Sequence, residues 1–211
     1  MNNKVHNFSA GPSILPEKVF EQASSSINNF NGNGLSILEI SHRSKDFIDV
    51  LEEARSLAIE IAGLDKNEYS CLFLQGGASM QFLMTAYNFL NENAGYINTG
   101  SWSTKAIKEA RLFGNVTEIA SSSDKNFNYI PKEININDTY DYVHITSNNT
   151  IFGTQFHSFP KTESPLIVDM SSDIFSRKID YSQFDLIYAG AQKNLGPAGA
   201  TMVMIKNSLL E

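Results

Sequence analysis

The sequence predicts an α/β fold: a mostly parallel sheet in three layers, with helices on both faces. Two observations carry this. Short apolar runs alternate with stretches whose apolar residues recur at helical spacing. Acids, amides and hydroxyls fall just after those runs, at the edge where open α/β sheets gather their ligand-binding groups.

In chain order, an irregular turn at Ser9-Ala10-Gly11-Pro12 leads to Pro16, which suits a first helical turn. Val19, Phe20, Ala23, Ile27 and Phe30 then share one face until Asn-Gly-Asn-Gly at 31–34 stops the helix. Leu35 to Ser41 is short and apolar, and His42, Arg43 and Ser44 follow it. From Asp46 a second helix presents Phe47, Val50, Leu51, Ala54, Leu57, Ala58 and Ile61 as its apolar stripe, closed by Gly63. Cys71 to Leu74 reads as a strand running into Gln75-Gly76-Gly77-Ala78-Ser79, after which Met80, Leu83, Met84, Tyr87 and Leu90 predict a helical face. The same order recurs with a strand at Tyr96 to Asn98 and a helix at Trp102 to Leu112. Further strands are expected at Val116 to Ala120, Tyr142 to Thr146, Leu166 to Asp169, Asp185 to Ala189 and Ala200 to Ile205.

The 211 residues, 42% hydrophobic and 18% charged, are ample for a sizeable core. A net charge of -7 without a Lys/Arg stripe argues against nucleic acid. The lone Cys71 excludes an internal disulfide and a cysteine-based zinc cluster, and no His/Asp/Glu cluster at metal spacing occurs, so no metal is expected. No apolar run approaches 18 residues and no signal-like segment opens the chain; a soluble cytoplasmic protein, not associated with a membrane, is the expectation.

The segment DLIYAGAQKNLGPAGATMVMI, Asp185 to Ile205, reads as strand, small-residue turn at Gly190 and Ala191, exposed connection and second strand. Lys193 in that connection could offer its amine to an aldehyde cofactor such as pyridoxal phosphate (PLP), or could face water like most of the twelve lysines. At Gly76 to Ser79, unpaired amides at a helix start and the Ser79 hydroxyl could hold a phosphate, or form a plain capped turn. Asp169, ending an apolar strand, could pair with a cofactor pyridine nitrogen, cap the chain from Ser171 onward, or join a salt bridge. Trp102 could stack on a ring or fill a core; Thr150 and Gln192 are polar residues in loops after strands. Arg43 suits a bidentate grip on a carboxylate with His42 beside it, against a surface ion pair with Asp46. His144, inside a strand, reads as a satisfied core histidine. Cys71, inside a strand, is badly placed for sulfur transfer.

Six stretches carry a resemblance across the chain: NFSAGPSILP (7–16), EISHRSKDF (39–47), FLQGGASMQF (73–82), NTGSWS (98–103), IVDMSSDIFSR (167–177) and AGAQKNLGPAG (189–199). By these the chain resembles the phosphoserine aminotransferase family, class V of the fold type I PLP enzymes. The resemblance implies Lys193 as the catalytic residue holding PLP. Ala78, Ser79 and Gln192 would bind its phosphate, with Trp102 stacked on the ring, Thr150 on a ring substituent and Asp169 at the ring nitrogen. Arg43 and His42 would take the substrate α-carboxylate and phosphate. It implies amino transfer between L-glutamate and 3-phosphohydroxypyruvate, giving O-phospho-L-serine and 2-oxoglutarate in serine biosynthesis, by a homodimer. It also leads us to expect an N-terminal arm over 1–15 and part of a PLP-binding large domain over 16–211. The rest of that domain and a small C-terminal domain would be missing, and activity impaired. A class V enzyme acting on alanine or glyoxylate, or an inactive PLP-binding or subunit-interaction remnant, are the alternatives.

Overall fold

Seven strands pair into one sheet in the order β1-β7-β6-β5-β4-β2-β3. They are β1 (Tyr69–Gln75), β2 (Asn93–Asn98), β3 (Asn115–Ser121), β4 (Val143–Thr146), β5 (Leu166–Asp169), β6 (Leu186–Gly190) and β7 (Ala200–Lys206). The helices are α1 (Glu17–Asn28), α2 (Lys45–Ala62), α3 (Ala78–Phe89), α4 (Ser101–Ala110) and the single turn α5 (Ala191–Asn194). The structure, a computed structural model, describes residues 5–210; residues 1–4 of the expected arm, and Glu211, lie outside the described residues.

Neighbouring strands from β3 through β6 run parallel, whereas β7 is antiparallel to both β6 and β1. The expected mostly parallel sheet is therefore present, with one reversed strand inside it. Side chains alternate across it as the two-residue period of a strand requires. Leu166 and Val168 of β5 join the core beneath Ala58, Ile59 and Ala62 of α2, while Ile167 joins Phe82, Ala86, Ala106 and Ile107 of α3 and α4 on the other face.

The boundaries of α2 follow from its ends: Ser44 accepts from the Phe47 amide at 3.4 Å, and Gly63 closes the last turn in left-handed geometry. Its buried face differs from the expected stripe. Ala58, Ile59 and Ala62 are buried, whereas Val50, Leu57 and Ile61 of the stripe are exposed. The same correction applies to α3, which buries Gln81, Phe82, Thr85 and Ala86 and leaves Met80, Leu83 and Tyr87 exposed. Both helices carry apolar residues on more than one face, so spacing alone does not choose between them. Val19, Phe20 and Ile27 of α1 are likewise exposed.

The face under α3 and α4 contains a buried polar column. The hydroxyls of Tyr96 and Tyr142 lie 2.7 Å apart, His144 stacks on Tyr96 at 4.9 Å, and His144 Nε2 is 2.8 Å from the Tyr188 hydroxyl. His144 is a core residue as expected but only half satisfied, because its Nδ1 has no partner among the described residues. Burial pushes its pKa down to about 3, so the ring is neutral.

Candidate active site

Each expected site residue other than His42 and Arg43 stands at or just beyond the C-terminal end of a strand: Ala78 and Ser79 after β1, Trp102 after β2, Thr150 after β4, Asp169 at the end of β5, Gln192 and Lys193 after β6. Parallel strands place those ends on one rim, which explains how residues more than a hundred positions apart meet. A cleft on that rim is lined by Ala78, Ser79, Trp102, Asp169, Gln192 and Lys193.

Lys193 Nζ donates to Thr150 Oγ1 at 3.0 Å and lies 4.9 Å from the Trp102 ring centre. The indole N–H donates to the same Thr150 hydroxyl at 3.2 Å. One threonine thus fixes both the amine and the ring plane beside it. Burial lowers the Lys193 pKa, against the opposing pull of the Asp169 charge. A larger neutral fraction makes a better nucleophile.

Asp169 is buried at 5% exposure, and burial raises its pKa. Ser171 opposes that rise: its amide (2.9 Å) and hydroxyl (2.6 Å) both donate to Oδ1. This is the cap foreseen as one alternative, and it uses a single carboxylate oxygen. Neither bond goes to Oδ2, so capping does not exclude a second donor from the cleft.

Gly77, which precedes α3, has no side chain to cap the helix, so the first amides, including those of Ala78 and Ser79, have no intrahelical acceptor. Gln192 is brought beside them. A Cβ placed on Gly190 would stand 3.0 Å from Gln192 Oε1 and 3.1 Å from the Ala78 amide nitrogen, so a side chain there would crowd both groups and press them apart.

The residues present fit a phosphorylated pyridine aldehyde. They provide a half-buried amine for the aldehyde, an aromatic face, a buried carboxylate for a protonated nitrogen, and free helix-start amides for a phosphate. His42 and Arg43 are not part of this cluster. They are exposed in the turn before α2, and neither forms an ion pair among the described residues; Asp46, the alternative partner of Arg43, instead accepts from Asn33 at 3.2 Å. Sequence reasoning named Ser171 only as the start of the segment Asp169 could cap and missed its link from Asp169 to the Gly190 amide (3.0 Å); it missed Ser13 altogether, whose amide donates to the Gln192 carbonyl at 2.9 Å. Only inclusion in a family-like stretch marked Ser13. Cys71 is buried in β1 with its thiol pushed up to about 11, an unreactive thiol as its strand position implied. No described helix is long and apolar enough to cross a membrane.

The fold and this rim define an aminotransferase class V protein: the model of that family matches residues 5–211, and the chain belongs to it. It is 61% identical over 209 residues to the phosphoserine aminotransferase of Flavobacterium johnsoniae, covering 98% of this chain and 59% of the relative. It is 52% identical to that of Bacillus subtilis, covering 97% and 58%. Among solved structures, the phosphoserine aminotransferase from Bacillus circulans subsp. alkalophilus superposes with a TM-score of 0.92 at 47% identity, over 96% of this chain and 57% of that one. The PLP-bound phosphoserine aminotransferase from Trichomonas vaginalis superposes with a TM-score of 0.91 at 33% identity, over 98% and 63%. The chain spans about three fifths of the length of the curated relatives it matches.

Proposed function

We propose that this chain carries the cofactor-holding residues for PLP-dependent amino transfer between L-glutamate and 3-phosphohydroxypyruvate, yielding O-phospho-L-serine and 2-oxoglutarate. The observation that carries the reading is the convergence of Lys193, Thr150 and Trp102 on a rim that also holds Asp169 and the free amides of α3. When bound, PLP supplies an aldehyde for an amine and a protonated ring that takes up electrons from a substrate carbon. Lys193 would hold the aldehyde and, once released, move a proton at the substrate α-carbon. Asp169 would keep the ring nitrogen protonated, Trp102 would cover one ring face, and Thr150 would orient both. Ala78, Ser79 and Gln192 would hold the phosphate.

Arg43 and His42, exposed and without ion pairs among the described residues, would receive the α-carboxylate and phosphate of the substrate. The exposed apolar residues of α1 and α2 support a homodimer as part of this reading, and the setting is the cytoplasm.

Absorbance tests it. Added PLP should give a visible band with the parent chain and none with Lys193→Ala, and glutamate should convert the band to that of the pyridoxamine form. A parent chain that stays colourless in excess PLP would remove the cofactor claim for this chain.

A further inference from the structure

The one-turn helix α5 cannot satisfy its own carbonyls. The amides of Leu195 and Gly196 both bond to the Ala191 carbonyl, at 3.1 and 2.8 Å, leaving those of Gln192 and Lys193 without a donor from the helix. A single residue 180 positions earlier takes both: the Ser13 amide donates to the Gln192 carbonyl at 2.9 Å, and the Ser13 hydroxyl donates to the Lys193 carbonyl. Gly11 lies against the side chain itself. A Cβ there would stand 3.1 Å from Lys193 Cγ and 3.3 Å from both Cγ and the carbonyl oxygen of Gln192.

We propose that Gly11 to Ser13 form a positioning clamp on Lys193, holding its main chain and stem so that the amine is presented in one direction and kept partly out of water. The proposal rests on the reading of Lys193 as the reactive amine. A lysine stem has many rotamers, and a contact at Cγ removes most of them before any ligand arrives. A side chain at position 11 would press on the stem at that point, and Ser13 supplies the two carbonyls with an amide and a hydroxyl donor from one residue. The lowering of the Lys193 pKa by burial agrees with a covered stem.

Reductive methylation of the intact chain by formaldehyde and cyanoborohydride across a pH series, read at each lysine by peptide mass spectrometry, tests this without PLP. Labelling of Lys193 is normalised to that of exposed Lys18. In Ser13→Ala and Gly11→Ala the Lys193 midpoint should rise by about half a pH unit, roughly a threefold loss of labelling at neutral pH, and Ser13→Thr should keep the parent midpoint. An unchanged midpoint in Ser13→Ala overturns the clamp, and a lower thermal stability with the midpoint unchanged does so too, because it makes Ser13 a structural residue alone. Where Gly11→Ala does not fold, Ser13→Ala decides, since it deletes one hydroxyl from a partly buried residue. If the parent chain stays colourless with PLP while the midpoints shift, the cofactor reading fails and the clamp stands. If PLP binds and the midpoints do not move, the clamp alone fails.

Discussion

Ser171 is bonded twice to Asp169, amide and hydroxyl both reaching Oδ1, while the same hydroxyl accepts the Gly190 amide at 3.0 Å. The acid is thereby tied to the last residue of β6, three positions ahead of Lys193. Ser171→Ala leaves the buried Gly190 amide without an acceptor and should cost about 1–3 kcal/mol in urea unfolding. It should also raise the Asp169 pKa further, because the Ser171 bonds hold it down. Carboxyl-carbon NMR titration reads that second effect; a downward movement would contradict this account of the pair.

Asp169 is kept at a cost to the fold. Burial raises its pKa above the ordinary 3.8, so its contribution to stability is fully present below that value and is lost as pH rises through the folded pKa. Asp169→Asn should therefore be more stable than the parent at pH 7.5, with the difference vanishing near pH 3.5, as urea unfolding at the two pH values would read. Its PLP band should be weaker. Equal stability at both pH values would show that the Ser171 bonds fully offset burial.

His144 has the opposite sign. With its pKa lowered from 6.5 to about 3, the folded form refuses a proton that the unfolded chain accepts, so stability is full above 6.5 and falls as pH drops toward 3. The loss should be about 1.4 kcal/mol per pH unit below 6.5. His144→Phe should be less stable than the parent at pH 7.5, having left the Tyr188 hydroxyl unpaired, and should lose less on acidification. Urea midpoints at pH 7.5, 5.5 and 4 measure both slopes, and parallel slopes would assign the acid sensitivity elsewhere.

Gly190→Ala places a methyl between Gln192 Oε1 and the Ala78 amide, 3.0 and 3.1 Å away. PLP affinity, followed by absorbance, should fall about tenfold, the equivalent of displacing one anchoring contact at the phosphate. Far-UV circular dichroism should be unchanged. Parent-like affinity would mean that the two groups do not act together on the phosphate.

On α2, Ile59→Ala should cost about 2–4 kcal/mol, whereas Leu57→Gln and Ile61→Gln should stay within about 0.5 kcal/mol of the parent chain as a monomer. Denaturation at low protein concentration separates the two groups, and a large loss for Leu57→Gln would restore the face expected from the sequence.

That contrast marks where the sequence is legible. Strand positions are: Leu166 to Asp169 buries side chains on both faces and so reads as an unbroken apolar run, and Cys71 to Leu74 reads the same way although Phe73 is exposed. The order of the rim residues follows from those positions. The buried faces of α2 and α3 are not legible. Met80, Phe82, Leu83, Met84, Ala86 and Tyr87 surround α3 with apolar groups, and what selects Phe82 and Ala86 is the sheet they meet. Nor does any local pattern distinguish Ser13 from other serines, since its partners Gln192 and Lys193 lie 179 and 180 positions away. The reversal of β7 is equally silent, because a strand's direction leaves no mark on its composition.

That reversal has a mechanical result. Because β7 starts where β6 and β1 finish, the five residues from Leu195 to Gly199 suffice to return the chain to the rim. Gly199 then accepts the Gly76 amide at 2.9 Å, and Thr201 donates to the Gly76 carbonyl at 3.0 Å. A parallel β7 would have needed a long crossover. As built, the loop bearing Lys193 and the turn at Gly76 share one short brace, so that neither can shift far without breaking these two hydrogen bonds.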